Sequence, residues 1–387
     1  MTHGFLARRA GALATTLILL APGGLETQQG TDGRAEEPGQ ASGIRLPHDT
    51  VGFTHSAAGI ARVIAVMEAA ERPELEATRR RLGIEPGTGF VGAISPHDDY
   101  QYAGQLYLHL YPYLRARHAV MIGVAHHARK HPEAEGKLVF DGFQQWHGPY
   151  SPVPISPLRA VVIEALPEAD RLVSQEMHAG EHSLEAMVPF LQHYQREVSI
   201  VPILVPFMTW DRLEALAGRL AQGLAAAMKE RSLALGRDVA VLISSDAVHY
   251  GDEDWGGRSF ADFGTNGAAY DRAVSRDLAL IRDHLTERVA IEKARNFYRA
   301  VVAEDCHEYR ISWCGRFSIP FGLCLLNGLA RELGPAHLRG DLLRYGTTLD
   351  PGRRDPGVEG LGVTARASLR HWVGFCSIGY RLEPGSR

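Results

Sequence analysis

The chain has 387 residues, of which 45% are hydrophobic and 22% charged, an ordinary composition for a globular enzyme and enough for one large domain or two smaller ones. Its 41 basic and 45 acidic residues leave a net charge of -4, and no Lys/Arg stripe breaks that balance, which excludes a nucleic-acid footprint. The 18 histidines are the compositional oddity, since such a supply makes a metal or acid–base site easy to build.

At the N-terminus Arg8 and Arg9 precede an apolar run from Ala10 to Ala21. The run falls short of the ~20 apolar residues that span a bilayer, so no stable membrane span is expected. It fits instead the hydrophobic region of a signal peptide, although Pro22 after Ala21 makes a poor cleavage pattern. An exported or periplasmic protein is the expectation, a cytoplasmic one the alternative. Residues 25 to 43 have almost no large apolar side chains and read as a disordered linker, which leaves 44 to 387 as one domain.

Beyond the linker, four apolar runs rich in Val and Ile read as strands covered on both faces: 90–96, 118–126, 198–206 and 239–249. Helical patterns fall near 103–115, 157–167, 183–195, 211–230, 267–284, 287–302 and 319–333. This alternation predicts an α/β three-layer sandwich, a central β-sheet with helices on both faces. Final strands near 338–346 and 371–382 flank "GTTLDPGRRDPGVEGLG", a loop long enough to act as a lid.

Three of the runs end in similar chemistry. The first runs into "PHDDY", with His97, Asp98, Asp99 and Tyr100; the second into His126 and His127; the fourth into Asp246 and His249. Ligands bind outside the carboxyl ends of strands in open α/β sheets, so these imidazoles are expected on one rim. Neighbours on an extended segment point to opposite sides, so only one of His126 and His127 should face the site. The stretch "HAGEHSLEAMVPFLQ" adds His178, Glu181 and His182, with Ser183 as the cap of a helix. Glu181 reads equally as a capping residue or as a support for the site. Asp246 near His249 suits acid–base work, because a carboxylate fixes an imidazole's tautomer and raises its basicity.

The four cysteines, Cys306, Cys314, Cys324 and Cys376, form no CxxC pair, which argues against a structural zinc knuckle. Cys314 precedes Gly315 and Arg316 at the start of a helix, where a lowered thiol pKa suits a metal ligand or nucleophile. The other three read as packing residues in apolar surroundings.

"SPHDDYQYAG", "GVAHH", "EHSLEAMVPFLQ", "VPILV", "ISSDAVHYG" and "CGRFSIPFG" occur in the order found in the Memo family, which includes bacterial proteins labelled AmmeMemoRadiSam system protein B. The chain resembles that family from about residue 90 to its last strand. The family's fold is similar to that of class III extradiol dioxygenases, in which non-haem Fe(II) sits at the strand ends. The resemblance implies His97, His126 and Cys314 as metal ligands and His249 as the adjoining acid–base residue. The family's usual PHAGY is here "PHDDY", and the acidic run before its EHS element is here "HAG", so Asp98, Asp99 and His178 alter the pocket's charge and donors. Tyr100, His127, Glu181, His182 and Arg316 complete the expected pocket. Two imidazoles and an anionic ligand leave positions open on iron for O2 and a small molecule. A thiolate softens the set, so copper or zinc are the competing metals. The alternative function is a metal-binding or interaction protein that keeps the pocket without catalysis.

Overall fold

The computed structural model describes residues 43–85, 88–334, 336–350 and 354–384. The expected signal peptide and nearly all of the linker therefore lie outside the described residues. A ten-stranded sheet organises the fold. Its centre is parallel, in the spatial order Gly92–Ser95, Val239–Ser244, His118–Val124 and Ser199–Val205. Ile94 pairs with Ile243, and Ile122 pairs with both Ile243 and Ile203, so the four strands reach their carboxyl ends almost level. That rim is where the sequence places its histidines.

Alternation along these strands divides the core in two. Val120, Ile122, Val201, Ile203, Val241 and Ile243 face one layer, while Ala119, Met121, Ile200, Leu204 and Leu242 face the other. Helices Trp210–Glu230 and Ser318–Leu333 cover the first layer, and Ala57–Leu82, Tyr100–Leu108 and Val188–Tyr194 cover the second. Each fully buried Val, Leu or Ile side chain contributes about 1.5–3 kcal/mol, so the two layers supply most of the folding energy. The helices of the first layer approach closely at Gly328, where an added Cβ would lie 2.6 Å from the Ala221 Cβ. The predicted three-layer sandwich is the architecture found.

Antiparallel strands extend both edges. His371–Pro384 pairs with Gly92–Ser95 and with Ala336–Thr347, whose outer side carries Glu287–Arg288. Leu138–Phe140 and Arg171–Val173 finish the far edge, and His249–Gly251 lies against His371–Pro384. A separate three-stranded sheet joins Ile44–Arg45, Gln145–Trp146 and Val153–Pro154. Among the described residues no helix is long and apolar enough to cross a membrane.

Several element boundaries depart from the sequence expectation. The 239–249 run is broken after Ser244, and His249 opens a second short strand. The helix expected at 183–195 begins with a 3-10 turn at Glu185 and becomes α only at Val188. Ser183 does not cap it: its hydroxyl donates to the Val124 carbonyl, and its backbone N–H donates to Glu181. The helix Ala57–Leu82, capped by the Ser56 side chain and closed by Gly83 at φ +59°, was not anticipated.

Candidate metal centre

His97 follows the strand Gly92–Ser95 by two residues, and its position is fixed through the neighbouring strand end. Its backbone N–H donates to Asp246 Oδ1 at 3.0 Å. The Ser244 hydroxyl donates to the Ser183 carbonyl, so it accepts from His97 Nδ1 at 2.7 Å. That bond fixes Nδ1 as a proton carrier and turns Nε2 toward Cys314 Sγ, 3.3 Å away. His126 repeats the device: Glu181 accepts from both its Nδ1 and its backbone N–H at 2.7 Å, and Nε2 meets Cys314 Sγ at 3.4 Å.

Cys314 reaches this point on a turn that passes tightly under the sheet rim. A Cβ on Gly315 would lie 2.1 Å from the Ser245 hydroxyl, so the turn requires glycine there. His182 stacks on His126 at 4.6 Å between centroids and meets His97 edge-on at 5.7 Å. The ligand atoms of His97, His126 and His182 lie within 4.8 Å of one another, as do those of His97, Asp246 and Cys314. His249 Nε2 is 3.8 Å from Asp246 Oδ2, an ion-pair contact too long for a hydrogen bond.

Charge completes the picture. Burial opposes ionisation of Cys314, but the imidazoles of His97 and His126 hold its thiol well below the ordinary range. Burial likewise works against the charged forms of His97 and His126, yet Asp246 and the thiolate raise the first while Glu181 and the thiolate raise the second. Asp246 is held near 2 despite burial, mainly by His97 and His249. His249 is pushed up to about 10, because Asp246 and Cys314 outweigh its burial. Burial, then the charge on His126, lowers His182 to about 3, so this third imidazole is neutral. Protons shared among two imidazoles and a thiolate occupy the place where a cation would bind, and a metal binds by displacing such protons. The donor set thus fits a metal.

A cavity of about 380 Å³ opens in front of this cluster, walled by Asp98, Asp99, Asp246, His249 and Trp255 among others. Asp98 is pushed well above the usual carboxylate range by burial, with Asp246 and Asp99 adding to the effect. Asp99 accepts from the backbone and hydroxyl of Thr364, which fixes Thr364 in the cavity wall. Of the loop expected as a lid, Thr348 lines the cavity, and the wall residues Thr364, Ala365 and Ala367 follow that loop in the chain.

A family model described as Memo-like protein matches residues 67–355. The chain belongs to the Memo-like family. It is similar to a MEMO1 family protein of Pyrobaculum arsenaticum, 31% identical over 270 residues that cover 68% of this chain and 79% of the relative. A MEMO1 family protein of Pyrobaculum aerophilum is 27% identical over 266 residues, covering 67% and 77%. One of Desulfurococcus amylolyticus is 26% identical over 271 residues, covering 68% and 78%. The sandwich described above is the dioxygenase-like fold of this Memo family.

Within the Memo-family chain, His97, His126, Cys314, Asp246, His249, Glu181 and His182 come together, and Asp98 and Asp99 line the cavity. His127 is exposed, turned away from its neighbour. Tyr100 is a correction: its ring packs on Phe53, Tyr107 and Phe190, its hydroxyl donates to the Ala186 carbonyl, and Tyr102 lines the cavity instead. His178 is another, fully buried beside Trp146 and bonded to the Val139 carbonyl away from the cavity. Arg316 does not activate the thiol, since its guanidinium lies against Tyr309 and the imidazoles do that work. Cys306 is half-buried, packed against the core with its sulfur also near Glu135 and His307, whereas Cys324 and Cys376 are buried in the core. All four cysteines are free thiols.

Sequence reasoning missed Asp49, Trp255, Thr364 and His371 as cavity residues. Asp49 is held by Glu185, which accepts from the backbone of His48 and Asp49 and also pairs with the buried Arg45 at 2.7 Å. No sequence pattern marks this segment, since its anchor, the Arg45–Glu185 pair, joins residues far apart in the chain.

Proposed function

We propose that this Memo-family chain is a non-haem metal-dependent oxidoreductase that uses O2 on a small molecule, with Fe(II) held by His97, His126 and Cys314. The observation that carries this reading is that both imidazoles commit Nδ1 to protein acceptors and turn Nε2 onto one thiolate. When bound, iron supplies the redox chemistry with O2 that amino-acid side chains lack. The sulfur donor also accommodates copper or zinc, so the metal is part of the proposal.

The chain's own groups have definable tasks. Glu181 and Ser244 orient the two imidazoles and raise their basicity as ligands. His249, held as an imidazolium at the cavity edge, is placed to donate a proton to a bound substrate, and Asp246 positions it. Asp98, kept neutral, offers a second hydrogen-bond donor to a hydroxylated substrate. Trp255, stacked on His371 at 4.2 Å between centroids, gives a flat wall suited to an aromatic ring. Phenols and catechols follow as the first substrates to try.

The test is O2 uptake and product detection by iron-loaded protein across a panel of catechols and phenols, alongside metal analysis of His97→Ala and Cys314→Ser. Metal-dependent uptake that vanishes in both variants supports the proposal. Wild-type metal content in both variants would remove the assigned site. Tight metal binding with no turnover on any panel member would leave a metal-binding protein that keeps the pocket without its chemistry.

A further inference from the structure

A second cavity, of about 110 Å³, lies against His126 and Cys314 and has Arg129, Arg258, Arg316 and Tyr309 in its walls. Among the described residues, only His126 belongs to the walls of both cavities. Arg316 is 4% exposed. Its guanidinium carbon lies 3.8 Å from the Tyr309 ring centroid, with Phe317 at 5.0 Å and Phe207 at 5.3 Å. One nitrogen, Nη2, donates to the His307 carbonyl at 3.3 Å, while Nη1 is buried with no hydrogen-bond partner.

Among the described residues no carboxylate pairs with Arg316. The nearest acidic side chain in sequence, Glu308, is occupied, accepting from Arg129 and Arg258 at 3.0 Å each. A buried lysine or histidine in such a place can lose its proton, but a guanidinium cannot. The charge therefore calls for an anion from outside the chain. The Cys314 sulfur does not meet the need, because its contacts are with the imidazoles of His97 and His126.

We propose that this cavity binds a small carboxylate, of formate to acetate size, through Arg316 Nη1, with Arg129 and Arg258 at its mouth. Size supports the choice: 110 Å³ is the liquid volume of roughly three to four waters at ~30 Å³ each, room for a few heavy atoms only. Shape supports it too, since a guanidinium edge framed by aromatic rings matches a planar anion. A phosphate would need donors on several sides, and the free N–H groups of Arg316 here sit on the single nitrogen Nη1. The site needs no metal, so it stands apart from the function proposed above.

The test is isothermal titration of the full chain, metal-free and metal-loaded, with sodium formate, acetate, phosphate and chloride at constant ionic strength. Formate should bind one site per chain in both forms, and Arg316→Met should weaken it about tenfold or more, the usual scale for a lost charged hydrogen bond. Metal content should not change in that variant. Circular dichroism reports whether Arg316→Met folds. If it does not, the surface double variant Arg129→Gln/Arg258→Gln decides, with a smaller weakening expected. Formate binding untouched by these changes overturns the proposal, as does equal binding of phosphate or chloride. Binding confined to metal-loaded protein and retained in Arg316→Met would place the anion on the metal and also overturn it.

Discussion

On one side of His126 the chain gathers Asp49, Asp98, Asp99 and Asp246 around about 380 Å³; on the other it gathers Arg129, Arg258 and Arg316 around about 110 Å³. Both arrangements bring like charges together around a buried member, Asp246 in the first and Arg316 in the second, and both must relieve the repulsion. The acidic cavity relieves it internally. Asp246 faces the imidazoles of His97 and His249, and burial pushes Asp98 well above the usual carboxylate range. The basic cavity has no such recourse, because Glu308 serves the two outer guanidiniums and the inner one cannot deprotonate. Carboxylate clusters can adjust to an empty site, whereas an arginine cluster demands an occupant.

The largest expected effect comes from the residue the cavities share. His126→Ala should abolish metal binding and disturb formate binding as well, while His127→Ala, altering an exposed side chain, should leave both intact. Elemental analysis with titration reads the two outcomes, and a reversed pattern would move the ligand by one residue.

Next in size is a change confined to the acidic cavity. His249→Gln should keep its metal and lose ~10²–10⁴-fold in turnover, the usual share of a positioned proton-transfer group. A purely structural histidine would instead lower thermal stability with turnover per folded molecule unchanged. Smaller again is Glu181→Gln, which removes the charge behind His126 and replaces one of the two acceptor oxygens with a donor NH2. Metal affinity measured against a competing chelator should fall ~10–100-fold, as for other supports of ligating histidines. No change there would mean that Glu181 serves only to hold its loop.

The smallest effect sharpens the idea that a buried carboxylate can be relieved by a proton. Asp277, fully buried, accepts from Trp313 Nε1 at 2.9 Å and the Tyr345 hydroxyl at 3.1 Å, and burial pushes it up to about 7 from 3.8. A carboxyl raised on folding favours the folded state below its unfolded pKa, and that contribution is lost as pH rises through the folded pKa. Stability should therefore decline between about pH 4 and 7, by about 1 kcal/mol per pH unit from this group. Denaturation at pH 5, 6 and 7 should show a shallower decline in Asp277→Asn. Equal slopes would mean the carboxyl is already ionised in the folded protein.

The parallel centre of the sheet was legible because each strand is buried on both faces and so reads as an unbroken apolar run. Their shared rim followed from strand ends carrying His97, His126 and Asp246. The edge strands, two or three residues long at Leu138–Phe140 and Glu287–Arg288, leave no periodicity to read. Pro73 interrupts the pattern of Ala57–Leu82 and concealed a helix whose buried positions, Ile60, Val63, Ile64 and Met67, are regularly spaced. His182 read as a pocket residue at a helix start, but only the tertiary fold stacks it on His126. Tyr100 and His178 failed for the complementary reason: proximity in sequence to a site residue does not fix which side of the backbone faces the cavity. Arg316 sat beside Cys314 in the motif, but its guanidinium left the thiol for an aromatic cluster.

The sequence separations at Cys314 bear on when a metal could be captured. Its contacts with His97 and His126 close chain segments of 217 and 188 residues, so the three donors are far apart in any unfolded chain. Closing such loops is an entropic cost met by the sheet and its covering helices, and one ion is a small addition to that total. At such a site a metal would be loaded after folding, unlike small domains that collapse around their ion. A fragment ending before Cys314 would keep both imidazoles and still lack the convergence that makes them a site.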